Sequence, residues 1–516
     1  MKFLYHFKLI FFNKKLFFRT EEENYKNVLL VELFSIKSTI ISFFLFTNAF
    51  SDLFKTKIIA YDTRFLTPKK KILILILNFF NFFNYYGLYR SLGVKNFIYP
   101  SKNKKLESEG KKLSAVILNK LKKKSDITKI KIHNILVGDL FYDTFLREKN
   151  KVTIDINSNE FNLFLKESVQ LFLYWFYLLT DKKIKGIIVS HSVYVTALPA
   201  RIAAYKNIKA YCVNYHSVFQ ITKKELLVWG GFRKYPKEFI KISKNKKNDC
   251  IAAARRNLKK RFSGNNDNLY NISATLKSKT YIKDTNFAER ILANNSNTKI
   301  LVAAHDFTDA VNGHGRLIFP DMYEWINFLI QFSKEKNYEW YLKLHPSEYD
   351  SNLDKIKSVV VGAKNFFILP KEVSHNQLIK EGIKCVLTVF GSIGHEYPYF
   401  GIPVINAGEN PHSGYNFNYH PKTRSEYVYI LNRITKLSVP KNAKRNIFEF
   451  YYMKHMCDYN IFPDITTMQD LNSFIIFKYF FDNLSSGNYI KIIRDYKGFI
   501  LSNDRRMIKQ KKYKIS

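Results

Sequence analysis

The sequence predicts an α/β protein: two Rossmann-like domains facing each other across a cleft, with a helical C-terminal tail. Three observations carry this. Short β-branched runs alternate with longer amphipathic segments, the pattern of parallel βαβ units. The rhythm occurs twice and is broken between residues 217 and 297 by a basic, polar stretch. The 516 residues are also enough for roughly three average domains or two large ones.

In chain order, NVLLVELF (27–34) reads as a strand and 36–54 as a helix. KIIAYD (57–62) is a second strand, followed by a helix across 71–91, and NFIYP (96–100) is a third. ILVGDLFYDTFLR (135–147) runs from a strand into a polar turn, and 159–180 is a very apolar helix. GIIVSHS (186–192), ALPARIAAYK (197–206) and KAYCVN (209–214) read strand, helix, strand. These elements make a first Rossmann-like domain over 1–216, and 217–297 is a basic connector, helical in part. A second Rossmann-like domain over 298–430 begins with the strand TKILVAAHDF (298–307). A helix over 319–335 follows, with Pro320 suited to its first turn and Asp321 and Glu324 to its positive end. EWYLKLHP (339–346), NFFILP (365–370), CVLTVFG (385–391) and PVINAG (403–408) are strands; 374–382 and 392–401 are helix-like. The basic remainder, 431–516, is helical and is expected to pack back across the first domain.

Composition removes several classes. Hydrophobic residues are 46% and aromatic residues 16%, too many for a disordered chain. The four cysteines, Cys212, Cys250, Cys385 and Cys457, are far apart and form no CxxC, against a disulfide framework or a structural zinc site. A formal charge of +40 invites a nucleic-acid reading. Joint enrichment in Lys, Asn, Ile, Phe and Tyr accounts for it as compositional bias, and no nucleic-acid-binding signature accompanies it. Nucleic acid is therefore not the expected partner; an anionic membrane face or a polyanionic, lipid-linked substrate fits as well.

The N-terminus lacks the unbroken apolar core and cleavage site of a signal peptide. Two apolar stretches, 40–54 and 72–89, fall short of the ~20 clean apolar residues of a spanning helix. Each is either a buried helix or a helix lying in a membrane interface with lysines at the headgroups. The expected location is cytoplasmic, with peripheral contact to the inner face of the membrane left open.

In open α/β sheets ligands bind outside the carboxyl ends of the strands. GDLFYD, SHS (Ser190, His191), HDFTD, LHP and FGSIGHE all follow predicted strands, which points to a cleft between the domains. In GSIGHE, Gly391 and Gly394 allow close backbone approach, and Ser392 is placed to cap the next helix. A nucleotide phosphate fits there, with Glu396 one turn on for a ribose hydroxyl; an ordinary strand-to-helix turn with a serine cap fits the same residues. His345 leaves a strand ahead of Pro346 and close to Lys343, able to donate to a phosphate or to serve a structural role. His305, Asp306, Asp309, His314 and Arg316 crowd one loop, read as substrate-binding rather than metal-ligating, since no HxH or HExxH accompanies them. Asp139 and Asp143 are four apart, with Arg147 four further. One carboxylate is a candidate general base, or the set is a helix face with an Asp–Arg pair.

His345-Pro346, GSIGHE and GIPVINAGENPHSGYNF (401–417), with VGDLFYD and SHSVYVTALPARIAAYK in the first half, resemble the capsule polysaccharide biosynthesis glycosyltransferases, including Kdo transferases of capsule export. The resemblance covers roughly 27–214 and 298–430. It implies a GT-B fold and a nucleotide-sugar donor, typically CMP-linked, with His345 and Ser392 on its phosphate and Glu396 on its ribose. It implies no cofactor and no metal. The chain departs from the related enzymes in two ways: their acidic-acidic-Gly motif for the base is missing, and Ile393 stands where a second Ser or Thr usually follows Ser392.

The leading expectation is a retaining or inverting glycosyltransferase acting on a lipid-linked surface polysaccharide. In it His345 and Ser392 stabilise the leaving phosphate, and Asp139 or Asp143 takes the acceptor proton. A non-hydrolysing nucleotide-sugar 2-epimerase and a CDP-polyol phosphotransferase share the architecture. A non-catalytic basic scaffold on membrane or nucleic acid is the alternative of a different class.

Overall fold

The structure is a computed structural model that describes residues 2–17, 25–35, 37–80, 84–214, 217–263, 281, 289–345, 350–458, 478, 480–482 and 484–509. Its strands are β1 (Asn27–Glu32), β2 (Thr56–Tyr61), β3 (Asn96–Ile98), the short β4 (Lys131–Ile132) and β5 (Ile135–Leu136), β6 (Ile184–Val189), β7 (Lys209–Asn214), β8 (Ser217–Ile221), β9 (Thr298–Ala303), β10 (Tyr338–Lys343), β11 (Phe366–Ile368), β12 (Ile383–Thr388) and β13 (Val404–Asn406).

The first lobe carries a six-stranded sheet in the order β3-β2-β1-β6-β7-β8, parallel except for the antiparallel β7–β8 pair. The second carries an all-parallel five-stranded sheet, β11-β10-β9-β12-β13. The near-continuous apolar runs of β1, β6, β9 and β12 follow from burial on both faces. Both sheets are wound the same way. The chain steps from the first strand of each lobe outward to one edge, then returns to add strands on the other side. The order therefore reverses between β1 and β6 in one lobe and between β9 and β12 in the other. Such switch points open a crevice at the carboxyl edge. The two-lobed α/β plan is the one the sequence predicts.

One apolar core runs through both lobes, and a second lies on the outer face of the first sheet. The Lys37–Phe54 helix is apolar all round because it is sandwiched in that second core. Phe46 meets Tyr211 of β7 on one side (ring centroids 5.0 Å apart) and Tyr496 of the Tyr489–Leu501 tail helix on the other (5.2 Å). The tail thus packs back on the first lobe; beyond it Met507 N–H donates to Val218 of β8 at 3.0 Å.

The structure differs from the sequence reading in four places. Residues 217–221 form edge strand β8 of the first sheet, so the connector begins later. Within it Lys244–Phe262 is a helix packed against the Ala443–His455 helix. The helix expected over 71–91 is two, Pro68–Phe79 and Tyr85–Ser91. The helix expected from 319 starts at Met322: Asp321 is its N-cap, accepting from Glu324 N–H at 2.8 Å, so Pro320 lies outside. Finally, 135–147 contributes no strand to the main sheet. β5 pairs only with β4 in a small hairpin and passes directly into the Gly138–Lys149 helix.

Candidate active site

On the first lobe the switch point is formed by the ends of β1 and β6. Glu32, last residue of β1, is buried, and its Oε2 accepts from Ser190 N–H at 2.6 Å. Burial pushes its carboxyl up to about 7, against the hydrogen bonds from Ser190. Ser190 Oγ lies 2.8 Å from His191 Nδ1. The walls of the crevice desolvate the imidazole and lower its pKa, with Asp309 of the other lobe opposing; the residue still reaches solvent. Tyr194, in the same loop, has φ +60°, a conformation that bulky side chains adopt only when the surroundings hold them there.

On the second lobe the switch point lies between the ends of β9 and β12, tied by Thr388 Oγ1 donating to the Ala303 carbonyl at 3.0 Å. The His305 ring is 5.0 Å from the His345 ring and 4.5 Å from that of Phe390, two residues before Ser392. His314 packs on the other side of Phe390 at 4.6 Å. Burial lowers the pKa of His305, and that of His345 to about 4, where the neighbouring His305 adds to the effect. Both rings are therefore neutral near pH 7, and the single N–H of His305 is on Nδ1, directed at the Asp306 carbonyl at 3.4 Å.

The two crevices meet. Tyr194 Oη donates to Asp309 Oδ1 across the lobes at 2.8 Å, and Arg147 lies 3.8 Å from the same oxygen. Further ties hold the lobes in register: Tyr142 Oη and Thr153 Oγ1 both donate to Asp321 Oδ2, at 2.6 and 2.7 Å.

The structure thus brings together Ser190, His191, His305, Asp309 and His345, with Phe390 on His305 just ahead of the Gly391–Ser392 turn. It sets other candidates apart. Asp139 and Asp143 follow the separate hairpin rather than a strand of the main sheet, although their helix packs against the Tyr194 loop, Val195 N–H donating to Thr144 Oγ1 at 2.9 Å. Asp139 is ion-paired with the buried guanidinium of Arg201. Asp143 is buried; it accepts from Asn312 N–H at 3.1 Å and from its Nδ2 at 2.8 Å, both on Oδ1. Burial, with Asp139 nearby, holds its carboxyl far above the usual range. As a general base each would first have to leave these partners.

Glu396 was expected at a ribose; it is buried, with Oε1 taken by Arg261 Nε at 2.7 Å and Oε2 by Tyr281 Oη at 2.9 Å. Burial alone would raise its pKa, but Arg261, His395 and His375 outweigh that and bring it to about 2. Ser392 makes no capping bond: its backbone is already helical (φ −57°, ψ −26°), so the half-buried hydroxyl is not turned onto the helix end. The helix that follows, Ile393–Tyr399, is short. Gly394 is required by packing, since a Cβ there would stand 2.5 Å from His412 Cε1. Gly391 has only Thr388 Oγ1 near, at 3.4 Å. Lys343 is buried and donates to the Lys371 carbonyl at 2.8 Å; burial lowers it to about 8. Asp306 accepts from Thr308 N–H and Oγ1, both at 2.9 Å, and so braces its own turn. Arg316 is exposed and donates to the Lys422 carbonyl at 3.0 Å. Pro346 lies outside the described residues. Among the described residues no group of three or more His, Cys, Asp and Glu side chains is arranged to hold a metal ion.

Some known structures resemble this one in chain course. The β-Kdo 2,4 transferase KpsC of Thermosulfurimonas dismutans is 12% identical over 57% of this chain and 88% of its own, at a TM-score of 0.33. The β-Kdo 2,7 transferase of the same organism is 12% identical over 59% and 90%, at 0.32. UDP-GlcNAc 2-epimerase of Neisseria meningitidis, solved with UDP-GlcNAc bound, is 12% identical over 83% and 95%, at 0.23. No protein-family model matches the sequence, and comparison with curated proteins gives no match. The chemistry of the site is therefore read from this chain's own residues.

Sequence reasoning missed two of them. Glu32 carried a signal: it is the lone acid ending an otherwise apolar strand, and a charge there either pairs or performs a task. Tyr194 carried none, because its partner Asp309 lies in the other lobe.

Proposed function

We propose that the protein is a glycosyltransferase that uses a nucleotide-sugar donor and a saccharide acceptor. What supports this is the Tyr194–Asp309 contact, which joins the Ser190–His191 loop after β6 to the His305–Asp309 loop after β9; on this reading His305, His345 and Ser392 form one wall and Glu32, Ser190 and His191 the other. The donor phosphate lies on the second-lobe wall, where the neutral His345 imidazole and the Ser392 hydroxyl donate to it, with His305 packed against His345. The acceptor hydroxyl lies on the first-lobe wall.

In the transfer step the acceptor oxygen forms a bond to the anomeric carbon, and the bond from that carbon to the donor phosphate oxygen breaks. The electron pair leaves with the phosphate, whose growing charge His345 stabilises. The acceptor proton passes to His191 Nε2. With Nδ1–H donated to Ser190 Oγ, and Ser190 held by Glu32, Nε2 presents a lone pair to the cleft at neutral pH. His191 thus replaces Asp139 and Asp143 as the base, and Glu32 is a positioning residue.

The test is nucleotide release from CMP-, UDP-, GDP- and CDP-activated donors, with and without saccharide acceptors. The reading expects acceptor-dependent release that both His345→Ala and His191→Ala abolish, with nucleotide binding lost only in the first. Conversion of free donor to an epimer without acceptor, or wild-type turnover in either variant, would overturn it.

A further inference from the structure

The Pro68–Phe79 helix is amphipathic in the wrong sense for a soluble protein. Thr67 caps it, accepting from Lys70 N–H at 3.3 Å, and Pro68 occupies its first turn. Ile74 is its one buried side chain. Ile72, Leu73, Leu75, Ile76 and Phe79, with Phe80 after it, face outward; Leu75 is 70% exposed and Phe79 82%. At 100° per residue these six occupy an arc of roughly 160°. Lys70 and Lys71 lie on either side of that arc, and Lys69 stands at its N-terminal end. An exposed apolar patch of this kind marks an interaction surface.

A second helix supplies a matching stripe. On Lys2–Phe17, Leu4, Phe7 and Phe11 are exposed at helical spacing, Phe11 to 79%, and the stripe ends on exposed Lys14. Lys14 of this helix lines a pocket of about 320 Å³ together with Arg90, Ser91, Gly93, Val94 and Lys95. Three of those residues are cationic and none is acidic. Asn13 Nδ2 donates to Ser91 Oγ at 3.2 Å, joining the N-terminal helix to the pocket wall. Arg90 Nη2 donates to Asn78 Oδ1 at 3.2 Å, joining the wall to the apolar helix.

We infer that this corner of the first lobe docks the protein onto an anionic phospholipid bilayer. The basic pocket takes a lipid phosphate headgroup, and the outward apolar side chains enter the acyl boundary around it. Charge decides the occupant: apolar side chains bordered by lysines, beside a pocket whose charged lining residues are all basic, match a surface that presents phosphates above hydrocarbon. The helix lies on the bilayer and does not cross it, since its 12 residues extend only about 18 Å, and no helix among the described residues is long and apolar enough to span. The inference does not depend on the reaction performed in the cleft.

The test is flotation of the full chain with vesicles of phosphatidylcholine alone and of phosphatidylcholine mixed with phosphatidylglycerol, alongside gel filtration without lipid. The expected result is binding to the anionic vesicles that falls at high salt, and at least tenfold weaker binding by Leu75→Glu/Phe79→Glu and by Lys14→Glu/Lys95→Glu. Both variants alter exposed positions, and unchanged thermal unfolding confirms that they fold. No binding of the wild type, binding unaffected by either variant, or a dimer that Leu75→Glu/Phe79→Glu converts to monomer while vesicles are ignored would overturn the inference.

Discussion

Tyr194 donates its hydroxyl to Asp309 across the two lobes at 2.8 Å, and its own backbone is held at φ +60° to do so. This bridge ties the loop that carries His191 to the loop that carries His305. Because Asp309 is half exposed, the bond contributes little to global stability. Tyr194→Phe is expected to change the unfolding free energy by no more than about 1 kcal/mol while lowering turnover. Urea unfolding alongside a transfer assay checks this, and unchanged turnover would count against the bridge as a positioning element.

Asp143 and Asn312 clasp the lobes from within the core. Asp143→Ala strands a buried N–H and a side-chain amide, which costs roughly 1–3 kcal/mol for each group left unpaired. Asp143→Asn keeps an acceptor oxygen and resembles the protonated form that burial favours. The asparagine variant is expected to keep most of the turnover. Loss of turnover with intact folding would restore Asp143 as the base.

Glu396 and Arg261 form a buried pair closed by Tyr281. Glu396→Ala is expected to destabilise the protein by about 3–5 kcal/mol, whether or not donor is present, because it leaves an uncompensated buried guanidinium. The pair also carries a pH signature. A carboxyl brought down from 4.5 to about 2 adds stability that is present above pH 4.5 and lost as pH falls through 2. A Glu396→Gln protein with wild-type stability would contradict this.

Glu32 has the opposite sign. Its pKa is raised from 4.5 to about 7, so the folded state holds a proton that the unfolded state has released. Its contribution is complete below pH 4.5 and is lost as pH rises through 7, by roughly 3 kcal/mol. Buried histidines with lowered pKa values act in the other direction, so the comparison must be between wild type and Glu32→Gln. The difference between their unfolding free energies is expected to change over pH 4.5–7, and a constant difference would contradict the assignment.

What could be read in the sequence was what is local. NVLLVE and IKCVLT read as strands because each is an apolar run flanked by turn residues or a helix boundary. His305, His345 and Ser392 were legible because each follows such a strand. The misreadings share one cause, a partner distant in sequence. ILVGDL has the composition of a sheet strand, yet its two strand residues find only a hairpin neighbour. Glu396 looks like an accessible first-turn acid until Arg261 arrives from a helix more than a hundred residues earlier. The Pro68–Phe79 helix has the composition of a core helix, and only its packing shows that the core is elsewhere.

Nucleotide binding measured by calorimetry at several pH values tests the central claim most directly. If His345 receives the donor phosphate, one saturable site binds a nucleotide and His345→Ala loses it without unfolding. Since the anion raises an imidazole pKa from about 4, affinity also increases as pH falls from 7 toward 5. A protein that binds no nucleotide, or whose His345→Ala variant binds as tightly as wild type, would contradict the account.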